Sequence, residues 1–201
     1  MNLISLLYPN DRAHCHRTAA LSRHLARLCG YTEEDAAIIY QSALLHDIGK
    51  SCIPFSILYK PDGLTKEEKQ IVQMHVDIGA TIIGQTFLDM STATIIAQQH
   101  HERLDGSGYL GLKGSDIHPY AKLVAVADVF DALISPRPYK SSWSIAKIYS
   151  FLYENAGTQF DEKIVSALLA NLKTVLTLYQ TQKPYRNADL DALILNLQLA
   201  G

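Results

Sequence analysis

Apolar residues recur along most of this chain with the period of an α-helix. Between Ala13 and Leu28 they fall at Leu21, Leu25 and Leu28, with Arg17, Arg23 and Arg27 between them, so one stripe faces a core and the other faces water. Thr32-Glu33-Glu34-Asp35 has the form of a capping box ahead of the segment that leads to His46. Thr65-Lys66-Glu67-Glu68 is a cleaner one and predicts a helix running past His75. Pro119 suits the first turn of a helix through Ile134, and Asp161 suits the cap of a later helix carrying Ile164, Val165 and Leu168. No segment alternates apolar and polar residues between hairpin turns, so the expected fold class is all-α, a helical bundle. Pro54 to Gly63 and the glycine-rich stretch from Glu102 to Ser115 read as irregular connections. Residues 1–178 are expected to form one domain. Residues 179–201, with Pro184 and an apolar run from Leu190 to Leu199, are expected to add a helical C-terminal extension.

A length of 201 residues, of which 48% are hydrophobic, is enough for a real core and is not the composition of a disordered chain. The net charge of −2 argues against a sequence-independent grip on polymeric nucleic acid, but not against a small anion held by a few local cations. Cys15, Cys29 and Cys52 are odd in number and form no CxxC pair, which fits reduced structural thiols. The apolar start lacks the basic flank and cleavage site of a leader peptide, and no apolar run reaches the ~18 residues of a membrane span. A cytoplasmic protein without a membrane partner is therefore expected.

Against this background two doublets stand out. His46-Asp47 interrupts the apolar run Ala43-Leu44-Leu45, and His100-His101 closes Ala93-Thr94-Ile95-Ile96-Ala97. Ionisable groups in apolar surroundings need compensation, and a divalent cation supplies it to imidazole and carboxylate ligands. Asp128 adds a third case, since it lies in a helix apolar on most faces and shares a side with Asp131. By itself, His75 reads as a surface or satisfied core residue more readily than as a ligand. Spacing does not say which of His14, His16 and His24 faces inward, and exposure is the default for His16, His24 and His118. Lys50, in His46-Asp47-Ile48-Gly49-Lys50, is either a cation near a helix end closed by glycine or a contact for a phosphate oxygen. Arg137 and Lys140 follow the Asp128 helix and carry the same two readings. The glycines after His101 permit tight turns and close approach to a ligand, or merely a flexible link.

Taken in order, these blocks resemble the HD-GYP family, a branch of the HD superfamily of metal-dependent phosphohydrolases. The resemblance runs from about His14 to about Leu169. It rests on His46-Asp47-Ile48-Gly49-Lys50, Ile53-Pro54, Lys60-Pro61 with Leu64-Thr65-Lys66-Glu67-Glu68, and His75 before Gly79. It continues through His100-His101-Glu102-Arg103, Asp105-Gly106-Ser107-Gly108-Tyr109, Val126-Ala127-Asp128 with Asp131-Ala132-Leu133, Arg137-Pro138-Tyr139 and Phe160-Asp161. What the resemblance implies is an all-helical HD domain with a di-metal site at its centre, bound by His14, His46, Asp47, His75, His100, His101 and Asp128. Asp47 would bridge two divalent ions, with iron or manganese implied. Asp47 and Lys50 are the implied catalytic residues. Lys50, Arg137 and Lys140 match phosphate-contacting positions, and Gly108 and Tyr109 would shape the pocket.

The implied reaction is hydrolysis of the bacterial messenger cyclic di-GMP to linear pGpG, in some members onward to GMP, by a hydroxide bridging metals about 3.5–4 Å apart. Two alternatives are a cyclic-dinucleotide-binding adaptor with little turnover and another HD-type nucleotide phosphohydrolase. Three departures from the family pattern matter. Asn10 stands where members with a third metal carry glutamate, which favours two metals. Leu110 replaces the signature proline, in a loop one residue shorter than usual. No sensory domain is attached, so a separate signalling protein is an expected partner, and a homodimer is a further candidate.

Overall fold

The computed structural model describes residues 3–86, 90–135 and 142–181. Among these residues the regular elements are helical, and one isolated bridge, Ala156 to Phe160, stands in place of a sheet. The all-α expectation holds. The α-helices are α1 (Pro9–Leu28), α2 (Glu33–Ala43), α3 (Phe55–Leu58), α4 (Lys66–Gln73), α5 (His75–Thr86), α6 (Ser91–Gln99), α7 (Pro119–Ile134), α8 (Ile145–Asn155), α9 (Glu162–Ala170) and α10 (Leu172–Thr181). Single 3-10 turns cover Ile48–Cys52 and Gly114–Asp116.

The local signals explain most of these limits. α1 begins at Pro9, four residues before the first expected position, because proline's fixed φ suits a first turn. It ends in Gly30 at φ 86°, where the Tyr31 amide donates to the Ala26 carbonyl (3.0 Å). Both capping boxes form. Thr32 Oγ1 accepts from the Asp35 amide (3.0 Å), and Thr65 Oγ1 accepts from the Glu68 amide (3.2 Å). Asp161 accepts from the Lys163 and Ile164 amides at 3.1 and 3.2 Å and starts α9. His118, expected to be merely exposed, is a half-buried cap whose Nδ1 accepts from the Tyr120 amide (3.2 Å) and opens α7.

Two further expectations fail. Pro54 to Gly63, expected to be irregular, carries the single helical turn α3, which follows Pro54 as its cap. The helix opened by Thr65 does not run past His75 but breaks at Met74 into α4 and α5. The His75 ring supplies the reason. Its Nδ1 donates to the Val72 carbonyl at 2.6 Å, an acceptor that a continuous helix would use for the amide four residues on. Of the expected extension from 179 to 201, residues 182–201 lie outside the described residues, including Pro184 and the Leu190–Leu199 run. Tyr179 still belongs to the main core, with its ring 5.6 Å from that of Phe130.

α7 is buried on nearly every face, as an all-round apolar helix must be, and forms the spine of the bundle. α1 packs on α2 and α7, α2 on α6, and α5 on α6 and the Ile48–Cys52 turn. Leu21, Leu25, Ile39, Leu123, Phe130 and Leu152 fill the main core, while Leu7, Cys15, Leu45, Ile48, Ile83 and Ala97 form a second cluster. The Ile48–Cys52 turn meets α5 backbone to backbone. A β-carbon on Gly49 would fall on the His75 carbonyl oxygen and 2.7 Å from the Gly79 nitrogen. Gly49 is thus needed for close approach, not to end a helix.

Gly49→Ala should therefore destabilise the fold by more than ~2 kcal/mol in urea denaturation, the scale of an overpacked interior. Gly84→Ala is the internal control. It has open space around the glycine, so it should stabilise α5 by ~0.5–1 kcal/mol.

Candidate metal centre

Three helix ends and two helix faces converge on one buried place. α1 contributes His14, the turn after α2 contributes His46 and Asp47, and α5 begins with His75. His100 and His101 follow α6, and Asp128 comes from the middle of α7. His46, His75 and His100 are fully buried, with Asp47 1% and Asp128 7% exposed. The ligating atoms of Asp47, His75, His100 and His101 lie within 4.8 Å of one another, as do those of His14, His46 and Asp128.

Asp47 stands between the two sets. Its Oδ2 is 3.6 Å from His14 Nε2 and 3.4 Å from His46 Nε2, while its Oδ1 is 3.3 Å from His75 Nε2 and 3.6 Å from His100 Nε2. Asp128 Oδ1 reaches His14 Nε2 at 3.0 Å, and its Oδ2 lies 3.8 Å from His101 Nδ1.

Three rings have their outer nitrogen engaged by the main chain. Nδ1 of His46, His75 and His100 donates to the carbonyls of Ala43 (2.7 Å), Val72 (2.6 Å) and Ala97 (2.9 Å). A neutral ring held this way turns its Nε2 lone pair inward. Burial lowers His46 to about 4 and also pulls His75 down, so both are neutral at pH 7. Burial likewise holds His101 well below its usual value, with His100 adding to the effect. Asp47 remains ionised: burial opposes its charge, but the Lys50 ammonium beside it holds its carboxyl well below the usual carboxylate range. The interior therefore gathers lone pairs and carboxylates with few donors. His75 Nε2 faces His100 Nε2 at 3.4 Å, and two buried atoms, His46 Nε2 and Asp47 Oδ1, have no hydrogen-bond partner. Such orphaned acceptors are what a cation would satisfy, and the nitrogen and oxygen donors suit a borderline or hard divalent ion. Cys15 Sγ lies within 4.8 Å of ligating atoms of His46 and Asp47, but burial pushes its thiol well up, so it stays protonated and structural.

His14 differs from the other rings. Burial would lower it, but Asp128 and Asp131 together raise it to about 9. Asp131 was visible in the sequence only as a neighbour of Asp128. Here it accepts from His14 Nδ1 at 2.6 Å and takes a forked pair of bonds from Arg17, 2.7 and 3.0 Å. The i, i+3 spacings His14/Arg17 and Asp128/Asp131 on two facing helices were the signal for this layer.

Lys50 Nζ donates to Asp47 Oδ2 at 2.5 Å, so its charge is directed at the carboxylate at the centre of the cluster. Tyr109 packs its ring 4.5 Å from that of His101 and stays 39% exposed, at the edge of the site. Gly108 serves the loop itself, since a β-carbon there would come 2.5 Å from Glu102 Cα. The buried Glu102 carboxylate accepts from the Leu110 and Leu112 amides, both at 2.8 Å, and pins the loop to the His100-His101 turn. Sequence reasoning assigned Glu102 no role; an acidic residue entering a glycine loop full of free amides was the available clue. Arg137 and Lys140 lie outside the described residues.

A family model described as HD domain matches residues 1–164. The chain is 43% identical over 159 residues to "Cyclic di-GMP phosphodiesterase response regulator RpfG" of Xanthomonas campestris, covering 78% of this chain and 42% of that protein. It is 42% identical over 159 residues to "3'3'-cGAMP-specific phosphodiesterase 2" of Vibrio cholerae, covering 78% of this chain and 30% of the relative. The chain thus spans less than half the length of either. Among solved structures, the Bdellovibrio bacteriovorus HDG"Y"P protein Bd1817 matches with a TM-score of 0.65 and 26% identity, over 80% of this chain and 51% of that one.

The geometry gives a direct binding test. Equilibrium dialysis with manganese should find two ions per chain, one in His75→Ala, and none in Asp47→Ala. Asp131→Asn should weaken binding by ~10–100-fold, as loss of an orienting partner does. Because a cation must displace the proton of His14, held up to about 9, apparent affinity should rise as pH goes from 6.5 to 8.5 in a chelator competition.

Proposed function

This chain belongs to the HD domain family, in its HD-GYP branch, and on that premise we propose that it is a metal-dependent phosphodiesterase of cyclic dinucleotides. The substrate we assign is cyclic di-GMP, opened to linear pGpG with onward hydrolysis to GMP as a later step. The observation that carries this reading is Asp47, whose two oxygens face separate nests of inward-turned imidazoles. His14, His46, Asp47 and Asp128 would hold one divalent ion, and Asp47, His75, His100 and His101 a second; iron or manganese suits the thiolate-free donor set. Bound there, such ions supply Lewis acidity and an activated water at neutral pH.

The chain's own groups do the rest. The carbonyl bonds of His46, His75 and His100 fix each ring before any ligand arrives, so little reorganisation accompanies the reaction. Lys50 keeps its proton, because Asp47 and Asp11 outweigh its burial. It places positive charge beside Asp47, where a non-bridging phosphate oxygen would gather negative charge. Arg137 and Lys140, assigned on the sequence, would add further cations for the phosphate. Tyr109, neutral at pH 7 and with its phenol pushed further up by burial, would form the wall beside His101. Hydrolysis adds water across one P–O3′ bond, leaving a 5′-phosphate and a free 3′-hydroxyl. We place this activity in the bacterial cytoplasm, with a separate sensory protein or a second copy of the chain as candidate partners. Among the described residues no helix is long and apolar enough to cross a membrane.

Anaerobically prepared protein loaded with iron or manganese should convert cyclic di-GMP to pGpG, resolved by chromatography, and chelation should abolish the conversion. Asp47→Asn should lower kcat by at least ~10³-fold, and Lys50→Ala by ~10²–10³-fold, the range for loss of one electrostatic stabiliser. Parallel assays with 3′3′-cyclic GMP-AMP read out the base preference. Tight binding of cyclic di-GMP without product under either metal would instead identify an adaptor module.

A further inference from the structure

Three aromatic rings crowd together where the start of α1 meets α3, and the reaction proposed above leaves them without a role. Phe55 stacks on Tyr59 with ring centres 4.8 Å apart and planes 27° from parallel. Tyr8 meets both edge-on, at 5.3 Å from Phe55 and 5.4 Å from Tyr59. Phe55 nonetheless leaves 59% of its surface in solvent. An exposed phenyl ring supported on two sides by other rings is a rigid apolar platform, not a side chain in search of a core.

The platform is tied to the site by two routes. Along the chain, Phe55 follows the Ile48–Cys52 turn, five residues after Lys50. In space, the Tyr59 hydroxyl donates to Asp11 Oδ2 at 2.7 Å. Asp11 lies three residues before His14 on α1, about 4.5 Å along the helix axis. Asp11 is also among the charges that hold the Lys50 proton in place. The shelf is therefore anchored to the helix that carries His14.

We infer that Tyr8, Phe55 and Tyr59 form a base subsite, with Phe55 stacking on one purine of a cyclic dinucleotide whose scissile phosphate lies at the metal cluster. This rests on the phosphodiesterase reading and adds to it a determinant of substrate choice. A cyclic dinucleotide carries a base on either side of each phosphate, so a diester gripped between Lys50 and the clustered imidazoles must send a purine outward to each flank. Tyr109 lines one wall of the site, and the shelf offers a π-face on another element. Stacking of this kind tolerates any purine, because every base has a π-face. The subsite therefore selects nucleotides over smaller diesters without selecting guanine over adenine.

Phe55→Ala is the test, because the ring is largely exposed and its loss should not move the thermal midpoint. The metal-loaded protein is assayed with cyclic di-GMP and with bis(p-nitrophenyl) phosphate, a diester without bases. The ratio of kcat/KM for the two substrates should fall about tenfold, mostly through KM for the dinucleotide, and Phe55→Trp should restore it. An unchanged ratio, or an equal fall for both substrates, would overturn the subsite. Calorimetric binding of cyclic di-GMP to the same two proteins separates this idea from the activity it builds on. Binding without turnover that weakens about tenfold in Phe55→Ala would keep the shelf and remove the hydrolase. Equal binding by both proteins, or none by either, would remove the shelf.

Discussion

The interior of this bundle is organised around a surplus of buried electron pairs. Five imidazole rings and two carboxylates meet at one largely buried place, with three of the rings already committed through Nδ1 to main-chain carbonyls. Acceptors facing acceptors at 3.3–3.6 Å are unfavourable in a medium of low polarisability. A positive charge relieves all of them at once. In the protein alone, Lys50 and the protonated His14 provide part of it. The two partnerless atoms, His46 Nε2 and Asp47 Oδ1, mark where that supply falls short. A divalent ion on each side of Asp47 would complete the balance.

A single backbone device builds most of this arrangement. α2, α4 and α6 each end with spare carbonyls, as every helix must. In each case a histidine three residues on takes one of them: His46 takes Ala43, His75 takes Val72 and His100 takes Ala97. The same bond that terminates the helix also fixes the ring's tautomer and aims its free nitrogen. Three C-terminal ends thereby bring their partial negative charge toward the site, which deepens the preference for a cation. Gly49 matters for the same reason, since only a residue without a β-carbon lets the turn carrying Lys50 close against the His75 carbonyl.

Around this fixed centre the substrate side is held by fewer and more local devices. Glu102 clamps the Leu110 and Leu112 amides, so the loop bearing Tyr109 is tied directly to the turn that carries His101. With Leu110 where the family signature has proline, the loop carries an amide for Glu102 to bind, a donor that a proline at this position would lack. On α1, Asp11 joins the aromatic shelf to the helix bearing His14. Each wall of the site is thus linked by one carboxylate to a segment that also carries a candidate ligand.

The sequence by itself determined the helical class, both capping boxes, the start of α7 at Pro119 and the residues with chemistry to offer. Those signals are local: period, cap and doublet are written within a few positions of one another, and short-range sterics and hydrogen bonding enforce them. Spacing along α1 did not distinguish His14 from His16 and His24; the resemblance named His14, and the tertiary structure turns it inward because that depends on which face of α1 meets α7. It also decided that His75 begins a helix instead of riding in the middle of one. The pairing of Arg17 with Asp131, the Glu102 clamp and the shared role of Asp11 join residues from 8 to 114 positions apart. No local pattern encodes such pairs; they form only when packing of the apolar faces has fixed the distances between helices.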